Sequence, residues 1–210
     1  MPRPQPTLLY HFTHVDNLPA IAAGGLLCQT AGTERCSVEA GNRRIKARRS
    51  ARPVPVAPRG VVADYAPFYF APRSPMLSAI HNGQVPEYAE GQDPLAYLVT
   101  TVERLVATGA QLVFTDRNAV LDLARFTTEV DDLDGLVDWQ LMRARYWFNT
   151  PDDPDRKERR MAECLVHEAV PWDAFIGVAA RNRMRQRQAK AALGGTSLAD
   201  RVEVRPGWYF

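Results

Sequence analysis

Residues 29–60 hold few apolar side chains and many Pro, Arg and Gly, so they offer neither the alternation of a half-buried strand nor the stripe of an amphipathic helix. Any core must be assembled from the segments on either side of them. The stretch reads as a long loop with a helical turn around NRRIKARRS, and a loop of that length inside a compact domain is usually functional or disordered. Its charge is one-sided: Arg43, Arg44, Lys46, Arg48, Arg49, Arg52 and Arg59 fall within residues 43–59 without one acid.

The remainder supplies enough for one core. A chain of 210 residues is the size of a single domain, spanning 1–210, and 46% hydrophobic with 24% charged residues excludes a disordered or fibrous protein. The net charge of +2 conceals its distribution, because Arg181, Arg183, Arg185, Arg187 and Lys190 form a second acid-free run and residues 129–138 hold five acids. Of 26 basic residues 23 are Arg, the side chain suited to bidentate phosphate contacts and to stacking on bases, although GC-rich coding gives the same bias. Solvated faces and a groove for a polyanion both account for the runs. No stretch reaches the roughly 18 apolar residues of a membrane span, and the proline-containing polar N-terminus is no secretory signal, so the expected location is the cytoplasm, with no membrane association. Three cysteines without a C-x-x-C pair read as structural thiols.

Strand and helix signals alternate along the chain. TLLYHFTH reads as a strand, followed by a short helix NLPAIAAG capped by Asp16 or Asn17. PFYF reads as a strand, and SPMLSAI as a helix with Ser74 at its cap and Pro75 in its first turn. PLAYLVTTVERLVATG begins as a strand and continues as a helix, and QLVFTDRNA returns as a strand. Residues 121–149 read as helical and acidic, with Trp139, Leu141, Met142, Tyr146 and Trp147 as an apolar stripe. MAECLVHEAVPW fits helix or strand, while Val178 and the final RVEVRPGWYF read as edge strands. The fold class is therefore α+β.

P-loop, G-x-G-x-x-G, H-E-x-x-H and G-x-S-x-G motifs are absent, which removes the usual signals of P-loop phosphoryl transfer, Rossmann dinucleotide binding, zincins and serine hydrolases. His11 and His14 would point to opposite faces of a strand, so no metal site is expected. In DYAPFYFAPRSP the spacing suits a buried strand for Phe68 and Phe70 and leaves Tyr65, Tyr69 and Arg73 for a ligand, where rings beside guanidinium groups can stack unpaired bases. Glu163 opens an apolar run, so its carboxylate is partly buried. It is either functional or paired with one of the arginines between Arg156 and Arg160.

YHFTHVDNL, DYAPFYFAPRSPML, FTDR and RRMAECLV, in this order and with similar spacing, resemble the DarT family of bacterial toxins. The resemblance runs from about Leu8 to the terminal WYF. It implies an ADP-ribosyltransferase-like fold, a central split antiparallel or mixed sheet flanked by helices, and transfer of ADP-ribose from NAD to thymidine in single-stranded DNA with release of nicotinamide. It places NAD, as co-substrate and without a metal, at His11, Phe12, Thr13, Ala20, Leu27 and Arg48. It matches the catalytic glutamate to Glu163, with Cys164 replacing an aromatic residue, and the catalytic arginine to Arg48 of the Arg48–Arg49 pair. Arg49, Tyr65, Tyr69, Arg73, Met76 and Arg117 are the implied nucleic-acid contacts. The implied partners are single-stranded DNA and a macrodomain antitoxin, with the toxin itself a monomer.

The chemistry suits those residue types. Breaking the nicotinamide bond develops positive charge on the ribose, which a carboxylate stabilises, and a cation orients the diphosphate and the base carbonyl. A guanidinium essentially never gives up its proton, so the arginine acts electrostatically. Modification of guanosine or RNA by the same machinery, a non-catalytic nucleic-acid-binding module and an NAD glycohydrolase remain alternatives.

Overall fold

The computed structural model describes residues 2–32, 34 and 36–210. Ten strands and nine short helices follow one another: β1 Leu8–His14, α1 Leu18–Gly24, β2 Leu26–Leu27, α2 Gln29–Gly32, α3 Arg43–Ala51, β3 Tyr65–Tyr69, α4 Pro75–His81, β4 Leu95–Thr101, α5 Val102–Ala107, β5 Leu112–Thr115, β6 Phe126–Thr127, α6 Leu133–Leu136, α7 Trp139–Arg143, α8 Arg156–Arg159, β7 Glu163–His167, β8 Ala169–Val170, β9 Gly177–Ala180, α9 Arg183–Ala192 and β10 Val202–Val204. Eight strands form one mixed sheet in the order β10-β9-β4-β1-β3-β7-β5-β6, and β2 pairs with β8 beside it. Among the described residues, β9 and β10 are the one parallel pair of the sheet.

The sheet is built from two well-paired halves. β1 and β4 pair over their whole length, from Leu8 opposite Thr101 to His14 opposite Leu95. β3 and β7 pair from Tyr65 opposite His167 to Tyr69 opposite Glu163. Between the halves, β1 and β3 share one register pair, Tyr10 with Tyr69. The strands diverge beyond it, so the sheet is split.

Alternation along the central strand β4 divides the core. Ala96 and Leu98 face one side with Leu9, Phe68, Phe114 and Val166, while Leu95, Tyr97 and Val99 face the other with Leu77, Ile80 and Tyr209. All seven residues of β4 are buried, as expected of a strand covered on both faces.

Four sequence expectations change. Residues 29–60 are not one loop, since α3 spans nine residues. Asn42 caps it by accepting from the Arg44 and Ile45 amides, Arg, Lys and Ala sustain it, and its one buried side chain is Arg49, so no apolar periodicity announces it. Residues 121–149 are not a continuous helix. Asp138 accepts from the Leu141 amide and starts α7 afresh after α6 has ended, and Tyr146 leaves the buried stripe for solvent. The ambiguous MAECLVHEAVPW resolves into β7 and β8, because its apolar residues fill a central position between β3 and β5. Val178 lies in β9, an interior strand between β4 and β10, and β10 alone of the two is an edge. Among the described residues, no helix is long and apolar enough to cross a membrane.

Candidate active site

A cavity of about 560 Å³ opens at the split between the sheet halves. β1 contributes His11, Phe12 and Thr13, α1 contributes Ala20, and β2 contributes Leu27. Residues 38–42 pass along one wall and lead into α3, which presents Lys46, Arg48 and Arg49. β3 supplies Tyr65, Pro67 and Tyr69, α4 supplies Met76, and Glu163 stands at the start of β7.

Glu163 is 2% exposed and fully engaged. Its Oε1 accepts from Arg49 Nη1 at 3.0 Å and its Oε2 from the Ala119 amide at 2.8 Å. Its own amide donates to Thr115 Oγ1 at 3.2 Å, which locks the first residue of β7 to the end of β5. Arg49 is buried as well and donates from Nη2 to the Val62 carbonyl at 3.4 Å. Two opposite charges taken out of water in contact hold one geometry, since moving either leaves a buried charge alone. The carboxylate therefore faces the cavity in a fixed orientation.

The partner of Glu163 is thus not among Arg156 to Arg160. Arg159 is held by Asp138, Asp153 and Asp155. Arg160 is 4% exposed and donates to the carbonyls of Leu141 at 2.6 Å, Met142 at 2.8 Å and Pro72 at 2.8 Å. Arg48, next to Arg49, is exposed; it lines the cavity and donates to the Val120 carbonyl at 3.1 Å.

His11 Nδ1 lies 2.8 Å from the Pro67 carbonyl, a contact across the split. A carbonyl can only accept, so Nδ1 carries the hydrogen and Nε2 is left as an acceptor. Burial pushes the His11 pKa down and the charge of Arg49 pushes the same way, which keeps the ring neutral. Thr13 Oγ1 accepts from Asn17 Nδ2 at 2.9 Å. Asn17 also grips Val38, donating to its carbonyl at 2.8 Å and accepting from its amide at 2.9 Å, and so pins the segment over the cavity. Its sequence signal was that of a helix cap, yet its side chain makes no capping bond.

Of the implied nucleic-acid contacts, Arg49, Tyr65, Tyr69 and Met76 line the cavity, whereas Arg73 and Arg117 do not. The Tyr65 ring is buried against His167, its hydroxyl donates to the Arg59 carbonyl at 2.5 Å, and burial pushes its pKa up to about 12. Tyr69 is half-buried, with its hydroxyl 3.9 Å from Met76 Sδ, and burial beside Glu163 raises its pKa further. Arg73 lies 4.5 Å over the ring of Phe210. Arg117 bridges Asp116 at 3.2 Å and Asp155 at 3.3 Å, so it braces the FTDR turn. Cys164 is buried between its cross-strand neighbours Phe68 and Phe114, where a small apolar side chain packs. Among the described residues, no group of three or more His, Cys, Asp or Glu side chains is placed to hold a metal ion.

The chain is similar in sequence and fold to proteins named for an activity. A family model described as "ssDNA thymidine ADP-ribosyltransferase, DarT" matches residues 10–210. A DNA ADP-ribosyl transferase of Thermus sp. is 38% identical over 212 residues, covering 99% of this chain and 98% of the relative. Thermus sp. 2.9 DarT has been solved with ADP-ribosylated single-stranded DNA, matching at a TM-score of 0.91 and 36% identity over 100% of both chains, and with NAD+, at 0.85 and 36% over 99% of both. A Thermosipho africanus protein, 27% identical over 77% of this chain and 39% of its own length, is a DNA ADP-ribosyl transferase-DNA ADP-ribosyl glycohydrolase fusion. With its split sheet and its buried glutamate at the head of a central strand, the chain belongs to the DarT family of single-stranded-DNA thymidine ADP-ribosyltransferases.

Proposed function

We propose that this chain transfers ADP-ribose from NAD to a thymidine base of single-stranded DNA, with Glu163 as the catalytic carboxylate and Arg49 as the arginine beside it. The observation that carries this reading is the buried Glu163–Arg49 pair at the cavity wall, facing neutral His11 across the sheet split. The residues present fit NAD: the cavity falls within the range of small-molecule sites, has a mostly apolar lining, and carries charged side chains of both signs, Glu163 with Lys46, Arg48 and Arg49 of α3 among them. NAD supplies the ADP-ribosyl group, and nicotinamide leaves.

Glu163 offers its carboxylate to the ribose side of the breaking bond, where positive charge grows. Its orientation is set by Arg49 and the Ala119 amide, so no reorganisation is needed at the moment of reaction. Arg49 keeps its proton and acts through its charge, stabilising the base as its ring nitrogen loses a proton to Glu163 or to water. This assigns to Arg49 the role that the family resemblance gave to Arg48. Arg48, exposed at the cavity, meets the incoming strand. The Thermosipho fusion supports a toxin whose antidote is a glycohydrolase that removes the modification.

The protein is incubated with NAD and a panel of short DNA and RNA oligonucleotides, which are then weighed by mass spectrometry. An ADP-ribose adduct on thymidine-containing DNA is expected, and Glu163→Gln removes it while oligonucleotide binding persists. No adduct on any thymidine-containing oligonucleotide sinks the reading, and adducts confined to RNA or to guanosine reassign the substrate.

A further inference from the structure

Two large aromatic side chains stand in solvent on either side of a buried one. Tyr146 is 67% exposed and Phe148 59%, while Trp147 between them is 2% exposed. Single apolar side chains at a surface need no explanation, but a pair of rings left in water forgoes the transfer energy that burial brings, unless something else covers them. Trp147 anchors the pair: its ring meets Phe148 at 4.8 Å between centroids and Phe210 at 6.3 Å, and the Arg73 guanidinium lies 4.5 Å over the Phe210 ring. Phe148 is thus backed by a ridge of rings and keeps the rest of its surface open. The Arg145 guanidinium stands 5.5 Å from the Tyr146 centroid.

The segment is fastened beside the cavity. Asn149 Oδ1 accepts from the Lys157 amide at 2.7 Å and Arg156 Nη2 donates to the Tyr146 carbonyl at 3.0 Å, and Lys157 and Glu158 of α8 line the cavity. At the other end of the ridge, Arg73 lies just before Pro75 and Met76 of α4, which line the cavity as well. The ridge therefore joins two elements that form the cavity wall, while Tyr146, Trp147 and Phe148 stay outside its lining. The local charge suits an anionic chain. Of the acids at positions 152, 153 and 155, Asp153 and Asp155 are held by Arg117, Arg156 and Arg159, whereas Arg145 and the exposed Lys157 form no ion pair among the described residues.

We propose that Phe148 and Tyr146 form a stacking platform for an unpaired base flanking the target thymidine, with Arg145 and Lys157 meeting the phosphates beside it. A base offers a π-face whatever its identity, so rings next to cations hold single strands with little sequence preference. Seated on Trp147 in advance, Phe148 loses little freedom when the base arrives. The flanking base is held outside the cavity while the target base turns into it. The proposal rests on the DNA-modifying reading above and adds to it a contact remote from the reacting atoms.

Fluorescence anisotropy tests it, using Glu163→Gln protein, which leaves the strand unmodified, and oligonucleotides with one thymidine and an abasic nucleotide placed at each flanking position in turn. An abasic nucleotide at one of these positions weakens binding about tenfold, and Phe148→Ala weakens binding of the intact strand by a similar factor. The two losses do not add, because each removes one side of the same stack, and Phe148→Trp restores the affinity. In turnover by the chain with Glu163 in place, Phe148→Ala raises the KM for oligonucleotide and not the KM for NAD. Additive losses, or no flanking position that matters, overturn the proposal. So does an equal rise in both KM values, which would show a displaced cavity wall, or an unchanged strand affinity in Tyr146→Ala/Phe148→Ala. If that double variant instead shifts a self-association seen by sedimentation while strand affinity stays, the patch is an interface between copies and the proposal falls. When the wild type modifies no thymidine and no single strand binds, the functional reading fails along with it. Thermal melts of each variant separate these outcomes from unfolding.

Discussion

Two adjacent arginines with the same side chain have different environments. Arg49 is buried on Glu163 while Arg48 reaches a carbonyl from the surface. Removing one member of a buried ion pair strands the other, so Arg49→Ala is expected to destabilise the fold by about 3–5 kcal/mol, whereas Arg48→Ala changes stability by about 0.5 kcal/mol or less. Chemical denaturation of the two variants distinguishes them, and equal losses would refute the assignment. His11 provides a pH dependence. Its folded pKa lies below its ordinary value of 6.5, so the unfolded chain binds the extra proton more readily. The stability contribution of the neutral ring is intact above about pH 6.5 and is lost as pH falls from there toward the folded pKa. Against wild type, His11→Asn is expected to show a shallower decline in melting temperature over that interval; superimposable pH profiles would exclude this account.

The site is assembled by short elements that have little stability of their own. α7 spans five residues, and Arg160 donates to the carbonyls of Leu141 and Met142 within it and to that of Pro72 ahead of α4. Burial without a carboxylate partner lowers the Arg160 pKa to about 10, and the carbonyls at the helix end offset part of the cost. Arg160→Ala strips several buried carbonyls of their donor. It is expected to cost about 3 kcal/mol or more and to expose this region first in native-state hydrogen exchange; protection in α7 matching that of wild type would contradict it. β1 and β3 touch at one register pair, and that loose seam, not a loop at the surface, creates the cavity.

At the scale of the molecule, the two basic runs part company. The first delivers Lys46, Arg48 and Arg49 to the cavity, but none of the second does. Within the second, Arg181 and Arg185 bind Asp93. Oligonucleotide affinity is therefore expected to keep its salt dependence in Arg183→Ala/Arg187→Ala and to lose about one unit of logarithmic slope in Arg48→Ala. A reduced slope in the double variant would place the strand over α9.

Much of this protein follows from local patterns. The strand TLLYHFTH, the Ser74 cap with Pro75 behind it, and the β4 apolar run are each dictated by side-chain period and capping chemistry that act within a few residues. The ordered motifs carried the family, the pocket residues His11, Thr13 and Leu27, and Glu163. Tertiary structure decided what those motifs leave open. α3 lacks an apolar face because its buried residue is an arginine, and only a carboxylate 114 residues away makes that burial tolerable. The choice between Arg48 and Arg49 and the partner of Glu163 both depend on charges brought together in a low-dielectric interior. Spacing along the chain does not encode those meetings; the packing of the sheet halves does.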